Sequence, residues 1–362
     1  MCPPALTHYL PARVATSMLR AFGPENLIGD ARELRYNPVP GRQTLRALIT
    51  GAEGFVGQHL CDYLLGHTDW ELTGTALREP DGAGPSDSRL EIRPVDLRDP
   101  DAVRSLVDNV RPEHLFHLAA QSFVPTSLSA PWDTLENNVK SQLNLLEAVR
   151  RSGQETRFLV VGSNEEYGAP EPGKLPQTEE SPLRPNNPYA VSKIAQDFLG
   201  LQYYLAYGVR VVRVRPFNHT GPGQSPRFVV PAFASQIAKI EAGLQEPVIR
   251  VGNLSTSRDF TDVRDIVRAY HLAVTKGEAG EVYNLASGEA QSIRSLLDTL
   301  LDYSDAKIRV ERDPDRYRPV DVPVVYGSAQ KFSSLTGWKP VISFEQTLLN
   351  TLTYWRSQVH SG

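Results

Sequence analysis

Three observations predict an α/β fold, a doubly wound parallel sheet followed by a smaller C-terminal α/β lobe. First, the apolar run Ala47 to Thr50 leads into Gly51, Gly54 and Gly57, after which Val56, Leu60, Leu64 and Leu65 recur at helical spacing. That is the pattern of a buried strand, a tight turn and an amphipathic helix. Second, strand-like and helix-like stretches alternate from there to Pro216, which favours parallel strands joined by helical crossovers. Third, beyond Pro216 the elements shorten and turns such as Gly221-Pro222-Gly223 interrupt them.

In chain order, Trp70 to Leu77 and Leu90 to Pro94 are the second and third expected strands, separated by a Gly-, Pro-, Asp- and Ser-rich loop. Pro100 to Val110 is expected to be helical, because Asp99 suits the N-cap and Pro100 the first helical position. His114 to Leu118 and Arg157 to Val161 are apolar runs of strand length. Between them Val139, Leu143, Leu146 and Val149 mark one face of a helix from about Thr134 to Arg151. A helix over Tyr189 to Tyr207 and a strand over Val209 to Val214 follow. In the lobe, helices are expected over Val229 to Ala242, Ser292 to Leu301 and Phe344 to Trp355, and short strands over Val248 to Val251 and Val282 to Leu285. The expected organisation is residues 1–44 as an N-terminal extension, 45–215 as the sheet domain, and 216–362 mainly as a substrate-binding lobe, with a strand near 281–286 returning to the main sheet.

The chain has 362 residues, 38 basic and 42 acidic side chains, and a formal net charge of −4. It can bury a large core, and nucleic acid is not an expected partner. Cys2 and Cys61 are too few for a disulfide framework or a cysteine-built zinc site, and no metal is expected. No apolar run approaches the ~18 residues of a membrane span, so a soluble, cytoplasmic protein without a membrane partner is expected. The first 43 residues hold Pro3, Pro4, Pro11, Pro24, Pro38 and Pro40 and no acid before Glu25. A packed arm or a loose extension fits this composition, with a transit peptide as the alternative.

The glycine turn is the first chemical signal. Gly51, Gly54, Phe55, Val56 and Gly57 would let main-chain N–H groups approach a pyrophosphate at the helix N-terminus. A plain βα turn would need the glycines only for geometry. The second strand ends Thr75-Ala76-Leu77-Arg78 with no carboxylate at its tip. Arg78 can pair with a ribose 2′-phosphate, which favours NADP(H) over NAD(H), or else it is a solvated surface charge. Small residues after the fourth strand, Leu118-Ala119-Ala120, would let a cofactor lie close to the main chain.

The second signal is Tyr189-Ala190-Val191-Ser192-Lys193. Residues four apart share a helix face, so the Tyr189 phenol and the Lys193 ammonium point the same way. A nearby cation is expected to lower the tyrosine pKa and fit it for proton transfer. Ser163 follows the fifth strand at the sheet's carboxyl edge, where its hydroxyl could hydrogen-bond a substrate carbonyl. The alternative is a surface helix pair.

Together the glycine turn, Asp96-Leu97, Leu118-Ala119-Ala120, Ser163 and the YxxxK spacing resemble the extended short-chain dehydrogenase/reductases that modify nucleotide sugars, over about Leu45 to Trp355. Within that family the GDP-sugar branch is most similar. The segments that carry this are Gln121 to Pro125, Gly162 to Gly168, Arg215 to Gln224, Val251 to Leu254, Arg258 to Asp265 and Arg316 to Pro319. The resemblance implies an NAD(P)-binding Rossmann domain in which Gly51, Gly54 and Gly57 cradle the cofactor diphosphate and Asp96 and Leu97 border the adenine. It implies that Tyr189 and Lys193 serve the nicotinamide ribose as well as the chemistry. Gln121, Ser122, Asn218, Val251, Arg258 and Arg318 would hold a GDP-linked sugar, the arginines on its phosphates unless they form ordinary surface salt bridges.

The branch holds 4,6-dehydratases of GDP-mannose and reductases of the resulting 4-keto sugar. By resemblance a dehydratase needs a carboxylate to remove the C5 proton, and Glu165 is available. A reductase needs only hydride delivery to C4, with Ser163 polarising the carbonyl and Tyr189 protonating it. Ser163 where dehydratases carry threonine, the Glu165-Glu166 pair, Phe123-Val124-Pro125 and Pro216-Phe217-Asn218-His219 look more like the reductase. The expectation is therefore a reductase making a GDP-D-rhamnose-type product, then a dehydratase, then a 4-epimerase. Family members often pair the helices matching Thr134 to Arg151 and Tyr189 to Tyr207 across a two-fold axis, so a homodimer is expected.

Overall fold

The computed structural model describes residues 44–78, 86–313 and 322–360. Its strands begin with β1 (Arg46–Thr50), β2 (Glu71–Ala76), β3 (Leu90–Pro94), β4 (His114–His117), β5 (Arg157–Val161) and β6 (Arg210–Pro216). The shorter β7 (Asn218–Thr220), β8 (Val248–Val251), β9 (Ser257–Arg258) and β10 (Phe260–Asp262) precede β11 (Val282–Leu285). Seven of these form one parallel sheet in the order β11-β6-β5-β4-β1-β2-β3. The chain steps outward from β1 to β3, then crosses back to β4 on the other side of β1. That reversal opens a crevice at the strands' carboxyl ends, where open α/β sheets take ligands.

Alternate residues of each strand feed opposite faces. Ala47 and Ile49 pack with α1 (Phe55–His67) through Leu60 and Leu64. Leu48 packs on the other face with Val103, Leu106 and Val107 of α2 (Pro100–Val110). Asp99 caps α2 as expected, accepting from the main-chain N–H of Asp101 at 2.9 Å.

The helix expected over Thr134 to Arg151 is three pieces. After α3 (Val124–Ser129), α4 (Pro131–Leu135) runs into a wide π turn, Glu136–Lys140, before α5 (Ser141–Ser152). The reason is Asn138. Its side chain accepts from Gln121 N at 2.8 Å and donates to Gln121 O at 3.0 Å and Ser192 Oγ at 2.9 Å. The wide turn thus bonds to the loop after β4, and such turns cluster at functional sites. Within α5, Leu145 and Leu146 are fully buried while Leu143 is 36% exposed.

Two more helices follow, α6 (Pro188–Tyr207) and α7 (Val229–Glu241), and then α8 (Val263–Lys276), which is not among the expected helices. Asp262 caps α8 through Arg264 N, and Val263, Ile266, Val267, Tyr270 and Ala273 are buried in the α1-side core. Arg157 holds its far end, donating to the carbonyls of Val274 and Gly277. Beyond β11, α9 (Ile293–Asp302), α10 (Gln330–Thr336) and α11 (Phe344–His360) complete the helices. Leu296 and Leu300 of α9 and Leu348 and Leu352 of α11 pack with Phe233 and Ile237 of α7 and Ile249 of β8 in a separate core.

At the sheet's β11 edge, the loop between β5 and α6 folds back. Glu179 Oε1 accepts the Asn284 N–H at 2.7 Å, Gln177 O accepts from Asn284 Nδ2 at 3.2 Å, and Tyr167 OH donates to Asn284 Oδ1 at 2.7 Å. No helix among the described residues is long and apolar enough to cross a membrane.

Candidate active site

Glycine at two positions of the turn is a steric requirement. Gly51 has φ +72°, and a Cβ there would lie 3.0 Å from the main chain of Ala119. A Cβ on Gly57 would collide with Gly51 O and Ala52, so α1 approaches β1 only because that atom is absent. Gly54 is the N-cap of α1, which leaves the first N–H groups of the helix at the crevice. Thr50 ties the neighbouring tip in place. Its hydroxyl accepts from Leu118 N at 3.2 Å and Ala119 N at 3.3 Å and pairs with His117 Nδ1 at 2.8 Å.

A cleft of about 850 Å³ opens here, a size suited to small-molecule ligands. Gly51, Gly54, Phe55, Val56, Gly57, Leu118 and Ala120 line one part of it, and Ser122, Ser163, Glu165, Tyr189, Asn218 and Arg258 another. Arg258 also donates to Ser257 O at 2.9 Å and Val322 O at 2.7 Å. Lys193 and Val251 are not in the lining; each is buried just behind it. The Gln121 side chain is engaged locally, with Phe123 N at 2.6 Å and Thr134 Oγ1 at 2.9 Å. Asp96 pairs with Arg98 at 2.7 Å, and that bond holds its carboxyl down at about 2. Leu97 is buried, and Arg78 is exposed just beyond β2. Arg318 lies outside the described residues.

Tyr189 and Ser163 are 8% and 7% exposed, and both line the cleft. Asn187 caps α6 by accepting from Ala190 N at 2.8 Å, and its Nδ2 donates to Glu165 Oε2 at 3.0 Å. The start of α6 therefore carries both Tyr189 and the anchor of Glu165. The expectation that a cation lowers the Tyr189 pKa is overturned. Burial pushes the phenol up; the nearby Ser163 hydroxyl acts downward, and Glu165 and Glu166 act upward. Lys193 lies 5.9 Å from the Tyr189 ring centre, but its Nζ donates to Val161 O at 2.9 Å. Burial brings Lys193 itself down to about 8.

Several lining residues had no role assigned from the sequence. Arg227 places its guanidinium 4.0 Å over the Phe123 ring and donates to Thr126 Oγ1 at 2.8 Å, while Phe228 meets Phe123 edge-on at 5.6 Å. His219 stacks parallel to Phe55 at 6.5 Å. Phe123 and His219 fall in recognisable segments, but nothing in their spacing announces an aromatic rim.

A family model for GDP-mannose 4,6 dehydratase matches residues 48–351. The chain is 40% identical to GDP-6-deoxy-D-mannose reductase of Pseudomonas aeruginosa, across 87% of this chain and 99% of that protein. It is 32% identical to GDP-mannose 4,6 dehydratase 2 of Arabidopsis thaliana, across 83% and 84% of the two chains. Its fold matches a solved structure of RMD from Pseudomonas aeruginosa complexed with NADPH with a TM-score of 0.76 at 38% identity, covering 87% of this chain and all of that one. With a parallel Rossmann sheet, a glycine turn and a tyrosine–lysine helix behind these likenesses, the chain belongs to the GDP-mannose 4,6-dehydratase family of nucleotide-sugar enzymes.

Proposed function

We propose that this protein reduces the C4 ketone of a GDP-4-keto-6-deoxy-hexose with NADPH, giving a GDP-D-rhamnose-type product. The observation that carries this is that Ser163 and Tyr189 line the same cleft as the glycine turn. The likeness to a GDP-6-deoxy-D-mannose reductase over 99% of that protein's length supports it. The glycine turn fits a dinucleotide diphosphate, because Gly51, Gly54 and Gly57 line the cleft at the N-terminus of α1. Arg78 at the β2 tip suits a 2′-phosphate, with NAD(H) as the alternative cofactor.

When bound, NADPH supplies the hydride that adds to C4. Ser163 Oγ polarises the C4 carbonyl, and Tyr189 passes its phenolic proton to that oxygen, so ketone, hydride and proton balance to an alcohol. A phenol held protonated by burial suits this direction better than the reverse. Lys193, anchored just behind the cleft wall, would hold the nicotinamide ribose. Gln121, Ser122, Asn218, Val251 and Arg258 belong to the substrate side, so that residues 45–215 serve the cofactor and part of the substrate while the lobe after Pro216 serves mainly the sugar nucleotide. Glu165 lines the same cleft, and with it as C5 base a GDP-mannose 4,6-dehydratase is the second reading.

Incubation with GDP-mannose and, separately, with its 4-keto-6-deoxy derivative decides between them. Stoichiometric NADPH loss with the keto sugar alone is expected. A keto product from GDP-mannose without net cofactor consumption would overturn the reductase.

A homodimer fits the exposed apolar residues Val191, Phe198 and Leu205, spaced seven apart on α6, beside Trp132, which is 70% exposed. Phe198→Asp should convert a dimer to a monomer in sedimentation.

A further inference from the structure

Next to the hydroxyl pair is a set of buried charges that the proposed chemistry leaves without a role. Glu166 is 0% exposed. It belongs to the short 3-10 turn Asn164–Tyr167, whose N-cap is Ser163. One Glu166 oxygen accepts the Ser163 N–H at 2.8 Å, and the Ser163 hydroxyl accepts the Glu165 N–H at 3.1 Å. The two bonds fix Ser163 from both sides. A Cβ on Gly162 would strike Glu166 Oε1, so the chain leaves room for this carboxyl. The other Glu166 oxygen lies 2.9 Å from Arg215 Nε. Arg215 also reaches Asp197 at 2.5 Å and Tyr167 OH at 3.1 Å, and Arg213 reaches the second oxygen of Asp197 at 2.6 Å. Asp197 follows Tyr189 and Lys193 at four-residue intervals on α6, so the three share a face.

We propose that Glu166 is a positioning residue for the C4 chemistry, holding Ser163 with one carboxyl oxygen and tying it with the other to the Arg215–Asp197 pair on the helix that carries Tyr189 and Lys193. This rests on the reductase assignment of the same site. Glu166 faces Asp197, Tyr189 and Lys193 from α6, Arg215 from β6, and Glu165 and Tyr167 from its own turn. Burial and the adjoining Asp197 push the Glu166 carboxyl well above the usual range, against the pull of Arg215. Neighbouring carboxyls disfavour each other's charge. The charged form of Glu166 is thereby disfavoured beside Tyr189, and the carboxyl accepts from Ser163 in either form.

Two substitutions test this. Glu166→Leu keeps volume but cannot accept the Ser163 N–H, whereas Glu166→Gln keeps the acceptor and is permanently neutral. With the keto sugar and NADPH, Glu166→Leu should lower kcat by ~10²-fold while sugar KM and NADPH Kd stay within ~2-fold, the signature of lost orientation. Glu166→Gln should restore kcat to within ~3-fold and leave the pH profile of kcat in its wild-type position. The proposal is overturned if the glutamine variant is as slow as the leucine variant. It is equally overturned if the upper limb of the glutamine profile moves by about a pH unit or more, or if Glu166→Leu loses NADPH affinity in step with kcat. Should Glu166→Leu fail to fold, the glutamine profile decides alone. Wild-type turnover is measured first. If the wild type acts on GDP-mannose instead, the reductase assignment fails and the variant ratios are read on dehydration. If it acts on neither sugar, both fall.

Discussion

Lys193 donates from Nζ to the main-chain carbonyl of Val161 at 2.9 Å, so the amine set one helical turn from Tyr189 is anchored to the end of β5. Ser163 lies two residues beyond Val161. One bond therefore joins the helix bearing the phenol to the strand tip bearing the serine.

That anchor carries a titration. Burial lowers Lys193 to about 8 from its ordinary 10.5, so its charge is present below that pH and is lost as pH rises through it. NADPH affinity, read by fluorescence titration, should fall between pH 7 and 9 and become flat with pH in Lys193→Met. A wild-type affinity that does not change over this range would remove Lys193 from the ribose site.

Tyr189→Phe should cost ~10²–10⁴-fold in kcat, and Ser163→Ala ~10²–10³-fold. NADPH affinity should hardly change in either. Single-turnover oxidation of NADPH separates chemistry from binding. Persisting activity in Tyr189→Phe would mean that another group donates the proton.

Gly57→Ala places a methyl group against Gly51 O and Ala52. Overpacking of this kind costs ~1–3 kcal/mol, and the displaced turn should weaken NADPH binding together with the melting temperature. A wild-type Tm and Kd in this variant would show that α1 can shift without disturbing the cofactor site.

Burial lowers three histidines from the ordinary 6.5: His114 to about 4, His117 to about 3 and His271 to about 4. Below pH 6.5 the unfolded chain binds protons that the folded chain refuses. Their contribution to stability is therefore complete above 6.5 and is lost progressively as pH falls toward the folded values. At pH 5 the penalty is ~2 kcal/mol for each. The Tm should drop steeply between pH 7 and 5. His271→Phe, which keeps a ring against Trp70 (5.1 Å) and Tyr63 (5.7 Å), should flatten that slope.

The sequence is most legible where local chemistry suffices. β3, β5, β8 and β11 coincide with the expected runs, because each is a short extended stretch bounded by turn residues. Helix α8 carries an equally regular apolar face, Val263, Ile266, Val267, Tyr270 and Ala273, but the motif Arg258 to Asp265 straddles its start and hides the boundary. The π turn has a different cause. Asn138 widens it to reach Gln121 and Ser192, partners set by tertiary contact. The cleft's glycines, Ser163 and Tyr189 have diagnostic spacing. Glu166 does not, because its partners Asp197 and Arg215 meet it only after three elements have packed. Spacing reports a neighbouring cation and is silent about desolvation, so it does not give the direction of the Tyr189 shift.

An outermost strand exposes a row of N–H and C=O groups that can recruit another chain. On β11 the Glu179 carboxylate occupies the Asn284 N–H, and the Asn284 side chain is bound by Tyr167 and Gln177. An incoming strand would have to expel an anion from that amide before it could pair. The loop that fills this position departs from the same turn that carries Ser163, so loosening it would endanger solubility and the geometry of the reacting hydroxyls in one event.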